Sequence, residues 1–349
     1  MSANRRLSKS TVSRATCRHY LTRAQPDRHT SVHHRLLTMG ENIMYNWRAE
    51  IRRLAPKPIL WKLTPMRLFW ASEVHGGRDN FGDELSPLII KKLFHITVKH
   101  SSIATADMIA LGSLLGAVED HVDNLRPYIW GTGFIESGGD YTGRPIRVRA
   151  VRGRQSLSRL RHVAPQTVAL GDPGILTSIA FPSLVGIEKK YHIGIIPHSF
   201  DQDSAEIDKA SRLPGVHIID VHKPALRVIK EISQCKIVFS SSLHGLIVSD
   251  SFAVPNFWIR LSDKLEGGTY KFKDYYSTFN VERSPADLAE SLSQASNLRR
   301  AWKPLDGIHE TQVSLIDAFP TLPSFRSAAP FPAACKPQSA ALTTSRRPA

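Results

Sequence analysis

The chain has 349 residues, 42% hydrophobic and 22% charged, which is ordinary for a globular protein and long enough for two separate cores. Its formal net charge of +15 comes from the ends: residues 1–65 hold 13 Lys/Arg against 3 Asp/Glu and residues 325–349 hold 4 against none, leaving 66–324 with 29 against 28. A nucleic-acid-binding domain carries its basic face on the folded body, so this distribution argues against nucleic acid as a partner.

The three cysteines, Cys17, Cys235 and Cys335, are scattered without a CxxC or metal-ligand spacing, which argues for a reducing compartment and against a disulfide framework or zinc site. The longest apolar run, 108–118 (MIALGSLLGAV), is about half of the ~20 residues a membrane span requires. Residues 1–38 are rich in Arg, Ser, Thr and His and lack the apolar core of a secretory signal. They read as sequence ahead of a start at Met39 in preference to an organellar transit peptide. The whole leader, 1–65, is set outside the fold, and its basic charge suits peripheral contact with an anionic membrane face.

In chain order, 66–71 (MRLFWA) reads as a buried strand, followed by a turn-rich loop and a helix over 84–94 with Pro87 in its first turn. Further strands are expected at 108–111, 128–132, 146–151 and 168–170, with a helix over 152–161. The pattern breaks between 181 and 190. A second series then opens with strands at 191–197 and 217–221 and a helix at 226–235. A strand at 237–239, a helix at 244–252 and a strand at 256–260 complete it. Strands alternating with helices in both halves predict an α/β protein with two doubly wound parallel sheets facing a cleft. The expected domains are 66–185 and 186–323. The Ala/Pro/Ser-rich remainder, 324–349, reads as a disordered tail.

The polar residues cluster at the predicted carboxyl ends of strands, where ligands bind in such folds. The segment 237–259, IVFSSSLHGLIVSDSFAVPNFWI, runs a short apolar strand through three serines into a helix beginning near His244. Free N–H groups and hydroxyls at that helix start suit an anion, and an imidazole beside them can move a proton near neutral pH. The plainer alternative is a serine cap with a surface histidine. Asn80-Phe81-Gly82-Asp83 follows the first strand, where Asp83 either caps the helix or works in the cleft. Arg152 ends a strand, where its fork suits a phosphate or carboxylate. Gly131 and Gly133 flank a strand end and would let substrate approach backbone. Asp172, before Pro173, reads as a turn former. Gly131 and Gly133 do not make a GxGxxG fingerprint, so no dinucleotide is expected.

Four of these segments, NFGDELSP (80–87), VRGRQSLSRL (151–160), ALGDPGIL (169–176) and SSSLHGLIVSDSFAVPNFW (240–258), resemble in order the motifs of the polysaccharide pyruvyl transferase family. The resemblance implies two Rossmann-like domains of glycosyltransferase-B type. It also implies transfer of a pyruvyl group from phosphoenolpyruvate to a sugar of an exopolysaccharide or capsule precursor, forming a pyruvate ketal. On that reading His244 and Asp83 are the catalytic pair. Arg152, Ser241, Ser242, Leu243 and Gly245 hold phosphoenolpyruvate, and Asn80, Gly131 and Gly133 face the acceptor. Neither metal nor cofactor is called for, and the expected setting is the cytoplasm or the cytoplasmic membrane face, with a free or lipid-linked acceptor. A nucleotide-sugar glycosyltransferase and a non-catalytic glycan binder are the competing readings.

Overall fold

The computed structural model describes residues 65–71, 80–121, 126–264 and 267–320. The expectations for the leader and the tail lie outside these residues, apart from Pro65.

The first sheet is entirely parallel. Strand β1 (Met66–Phe69) leads to helix α1 (Phe81–Phe94) and edge strand β2 (Val98–His100). Then come β3 (Met108–Ile109), α2 (Leu115–Glu119), β4 (Tyr128–Trp130), β5 (Arg147–Val151), α3 (Arg154–Arg159) and β6 (Ala169–Leu170). The strand order is β2-β1-β3-β4-β5-β6. Its inner strands are buried on both faces, as the fully buried Tyr128–Trp130 shows, and so they read as continuous apolar runs. Ile109, Leu115, Ile129, Phe134, Val148, Val151 and Leu160 form one core of this layer.

A 3-10 turn (Pro173–Leu176) and the short α4 (Thr177–Ala180) lead toward the second parallel sheet. That sheet contains β7 (Ile193–Ile196), α5 (Ala205–Ser211), β8 (Val216–Ile218), α6 (Ala225–Ser233), β9 (Val238–Ser240), α7 (Leu243–Ser251) and β10 (Asn256–Trp258). The order is β10-β9-β7-β8, with Ile195, Ile237, Phe239 and Ile259 at the core. The protein is thus α/β with two Rossmann-like parallel sheets.

Four helices follow: α8 (Tyr270–Ser277), α9 (Leu288–Ser293), α10 (Ala295–Ala301) and α11 (Ile308–Ala318). Two of them, α8 and α11, fall in the segment expected to stay with the second sheet but return to the first. Helix α8 packs on α3, with Asp274 bonded to Arg152 and Ser156. Helix α11 covers β6: Trp130 Nε1 donates to the Leu315 carbonyl at 2.9 Å, and Phe319 stacks on Phe94 at 3.7 Å. These contacts join segments more than a hundred residues apart, so local patterning carried no sign of them.

Helix α1 begins three residues earlier than the apolar periodicity indicated, because Asn80 is its cap: the Asn80 side chain accepts from Gly82 N–H at 3.0 Å. Pro87 therefore lies beyond the first turn, where it removes the N–H that would otherwise bond the Asp83 carbonyl.

In an open parallel sheet the ligand crevice forms where strand order reverses. In the first sheet that point lies between β1 and β3, and in the second between β7 and β9. The segments following those strand ends are α1, the Gly112 turn, and the serine loop that starts α7.

Candidate active site

The serine loop is held by its own backbone. Ser241 N–H donates to the Ile196 carbonyl at 3.1 Å, while Ser240 Oγ accepts from Ser242 N–H at 3.0 Å. Ser241 Oγ accepts from His198 N–H at 2.8 Å, which ties the ends of β7 and β9 together. Ser242 then adopts extended N-cap angles (φ −92°, ψ 127°), but its hydroxyl makes no capping hydrogen bond. The first-turn N–H groups of α7, from Leu243 through Gly245, consequently have no side-chain acceptor. That is the arrangement an anion completes. Gly245 serves the packing: a Cβ there would collide with Ser240 Oγ and crowd Ile196, so glycine lets α7 lie close on the strand ends.

His244, in the first turn of α7, keeps 13% of its side chain exposed. Its Nε2 is buried without a hydrogen bond, 3.8 Å from Asp172 Oδ2, which is itself buried and unpartnered. The other carboxylate oxygen, Asp172 Oδ1, accepts from Gly174 N–H at 2.8 Å and caps the 3-10 turn. On its opposite side the imidazole lies against Gly82 in α1, where a Cβ would collide with Nδ1. The two sheets thus contribute to one constellation, with His244 from the second lying between Gly82 and Asp172 from the first.

One residue beyond Gly82, Asp83 is partly exposed at the cleft yet surrounded by protein. Its carboxyl is pushed up from 3.8 to about 6 by burial, against the opposing pull of the His244 and Lys271 charges and with a smaller push from Glu84. Phe81 N–H donates to the Val221 carbonyl at 2.9 Å, and Glu84 accepts from Ala225 N–H at 3.2 Å, pinning the start of α1 to the second sheet's layer.

Arg152 occupies a different environment from the open anion clamp expected of it. It is fully buried, and its Nε donates to Asp274 Oδ2 at 2.9 Å. Nη1 reaches Ser113 Oγ at 2.7 Å and the Gly112 carbonyl at 3.3 Å, and Nη2 donates to the Phe134 carbonyl. Asp274 is completed by Ser156 N–H (2.9 Å) and Ser156 Oγ (2.6 Å). This network fastens α8 and three strand ends together, and it engages most of the guanidinium's donors with protein.

The two glycines expected at the acceptor side are buried and serve close packing. Gly131, at φ 89°, leaves room that Pro173 fills, and Gly133 lies flat against the Arg152 guanidinium. Asn80 acts as a helix cap, as described. The structure therefore gathers His244, Asp83 and the start of α7 at one place, with Asn80 one turn away at the head of α1. It adds Asp172 and Lys271, which sequence reasoning had not assigned to the site. For Asp172 the signal was present in its position at a strand end. For Lys271 and Asp274 no motif pointed there. Among the described residues no group of three or more His, Cys, Asp or Glu side chains is disposed to hold a metal ion.

The model of the family described as "Polysaccharide pyruvyl transferase" matches residues 40–263, well over half of the chain. The chain belongs to the polysaccharide pyruvyl transferase family. The matched stretch holds Asp83, Arg152, Asp172 and His244 but ends before Lys271 and Asp274. An uncharacterised protein of Acanthamoeba polyphaga mimivirus is 30% identical over 209 residues, covering 58% of this chain and 72% of that protein. The succinoglycan biosynthesis protein ExoV of Rhizobium meliloti (strain 1021) is 28% identical over 154 residues, 44% of this chain and 47% of ExoV, so the chain spans about half of that relative. A functionally uncharacterised protein of Klebsiella pneumoniae with a solved structure is 12% identical, with a TM-score of 0.39 over 67% of this chain and 94% of its own. No helix among the described residues is long and apolar enough to cross a membrane.

Proposed function

We propose that the protein transfers the pyruvyl group of phosphoenolpyruvate to a sugar of an exopolysaccharide or capsule precursor, forming a ketal. The observation that carries this reading is the meeting of three groups: His244, the carboxyl of Asp83, whose pKa burial raises to about 6, and the uncapped N-terminus of α7. Membership of the family supports the reaction class, and the likeness to ExoV, a succinoglycan biosynthesis protein, supports a polysaccharide context.

The first-turn N–H groups of α7 and the Ser242 hydroxyl receive the phosphate or carboxylate of the donor, where the helix dipole also favours negative charge. The His244 imidazolium delivers a proton to the donor's methylene carbon, and positive charge develops on the carbon bearing phosphate. A sugar hydroxyl adds to that carbon and gives up its proton to Asp83, whose raised pKa suits it to both accepting and returning a proton. Phosphate then departs with the C–O bonding pair. A second hydroxyl of the sugar adds to the oxocarbenium carbon left behind and closes the ketal, its proton returning the now neutral His244 imidazole to imidazolium. Arg152, bound to Asp274, Ser113 and two carbonyls, supports the strand ends that frame this site.

The test is turnover by wild type and His244→Ala with phosphoenolpyruvate and a panel of oligosaccharide acceptors. Wild type is expected to consume phosphoenolpyruvate, release phosphate and add pyruvate to the sugar, with His244→Ala slower by roughly 10²–10⁴-fold. Consumption of a nucleotide sugar by the same protein, with phosphoenolpyruvate untouched, would favour glycosyl transfer instead.

A further inference from the structure

His244 faces a residue that reads, in the sequence, as a mere turn former. Asp172 is completely buried, and its two oxygens do different things. Oδ1 caps the 3-10 turn through Gly174 N–H at 2.8 Å. Oδ2 makes no hydrogen bond and faces His244 Nε2 at 3.8 Å, and that nitrogen is equally buried and unpartnered. A buried carboxylate oxygen and a buried imidazole nitrogen left unsatisfied each carry a desolvation cost, and satisfying either alone would leave the other unpaired. They face each other across a gap that a sub-ångström approach would turn into a hydrogen bond, and catalytic contacts of this kind often close only when substrate binds.

We propose that Asp172 is a positioning residue for His244, accepting Nε2–H so that the ring is held in one tautomer and Nδ1, on the Gly82 side, is the atom that takes up and gives up the catalytic proton. This rests on the reading of His244 as the catalytic acid given above. Geometry on the opposite face agrees with the assignment. Gly82 has no side chain where Nδ1 lies, so that edge of the ring borders the first turn of α1 and the neighbouring Asp83. The two carboxylates of the first sheet then have separate duties: Asp172 holds the ring from within, and Asp83 faces the cleft. An imidazole supported by a buried carboxylate on one nitrogen and working through the other is a recurrent solution to fixing a tautomer.

Asp172→Asn separates the cap from the charge. The asparagine carbonyl can still accept from Gly174 N–H, whereas its amide donates toward Nε2 and forces the ring proton onto Nδ1; turning the amide over would undo the cap. The experiment is long-range 1H–15N spectroscopy of the full chain with labelled histidine at about pH 8, where an ordinary imidazole is neutral. His244→Ala identifies the signal, and kcat and KM for phosphoenolpyruvate are measured alongside. The wild type is expected to show the Nε2–H tautomer and Asp172→Asn the Nδ1–H tautomer. In the variant kcat is expected to fall about 10²-fold, with KM within roughly threefold of wild type. A wild-type ring protonated on Nδ1, or a variant with unchanged tautomer and kcat, overturns the proposal. The wild-type spectrum needs neither substrate nor variant, so it judges Asp172 even if phosphoenolpyruvate proves not to be the donor. Absence of any phosphoenolpyruvate turnover by wild type would instead count against the function proposed above.

Discussion

Asp83 offers the sharpest energetic test of the site, because the fold opposes its ionisation. Its folded-state value of about 6 lies above the ordinary 3.8, with burial as the first cause. A shift of this size corresponds to about 3 kcal/mol between the neutral and charged forms. The folded protein holds the proton more tightly than the unfolded chain does. The associated stability is therefore fully present below about pH 4 and is lost as pH rises through about 6. Between pH 5 and 8 the wild type is expected to lose about 1.4 kcal/mol from this group alone, a loss that Asp83→Asn, which cannot ionise, does not share. Urea unfolding of both proteins at the two pH values reads the difference directly, and contributions from other groups, such as the buried Asp250, cancel in the comparison. A stability gap between Asp83→Asn and its parent that stays constant from pH 5 to 8 would refute the reasoning. The same substitution is expected to cost activity by roughly 10²-fold or more, so stability and turnover move in opposite directions at pH 8.

Breaking the buried Arg152–Asp274 pair with Asp274→Ala is expected to cost about 3–5 kcal/mol in chemical denaturation, since it strands a guanidinium that has no exposure. Arg152→Ala is expected to destabilise by a similar amount. An Arg152→Ala protein as stable as wild type would show that the network described here does not bear on the fold. Gly82→Ala adds a methyl where His244 Nδ1 sits, so the ring must move; a drop in kcat of at least about tenfold with the far-ultraviolet spectrum unchanged is the expected result. Replacing Gly131 by Ala is expected to destabilise by more than about 1 kcal/mol, because φ 89° and the Pro173 ring both exclude a side chain.

Much of this site was legible because its determinants are local. The strand IVFS followed by SSLHG places a helix start at a strand end, and the structure puts Ser242 at the cap and His244 one residue into the first turn. Alternating strands and helices gave both parallel sheets, since buried parallel strands read as short apolar runs bounded by glycine. Edge strand β2 escaped notice because Val98–His100 is short and exposed, with no apolar signature. Helix α8, rich in aromatic residues, has a register that is set by packing on α3 and by Asp274 reaching Arg152 across 122 positions. Arg152 shows the same limit from the other side. Its place at the end of a strand was readable, but whether its fork meets a ligand or a buried carboxylate depends on a helix far along the chain. Asp172 was visible as a turn residue, and only the return of α7 beside it reveals its second oxygen.

The central claim, that the donor is phosphoenolpyruvate bound at the start of α7, is tested most directly by ligand-dependent thermal stability of the full chain. Phosphoenolpyruvate is set against a panel of nucleotide sugars, all at the same concentration; a ligand at about 100 times its dissociation constant adds about 2.7 kcal/mol to a single-site protein. The account predicts stabilisation of wild type by phosphoenolpyruvate, loss of most of that effect in His244→Ala, and no response to nucleotide sugars. Stabilisation by a nucleotide sugar with none from phosphoenolpyruvate would contradict it.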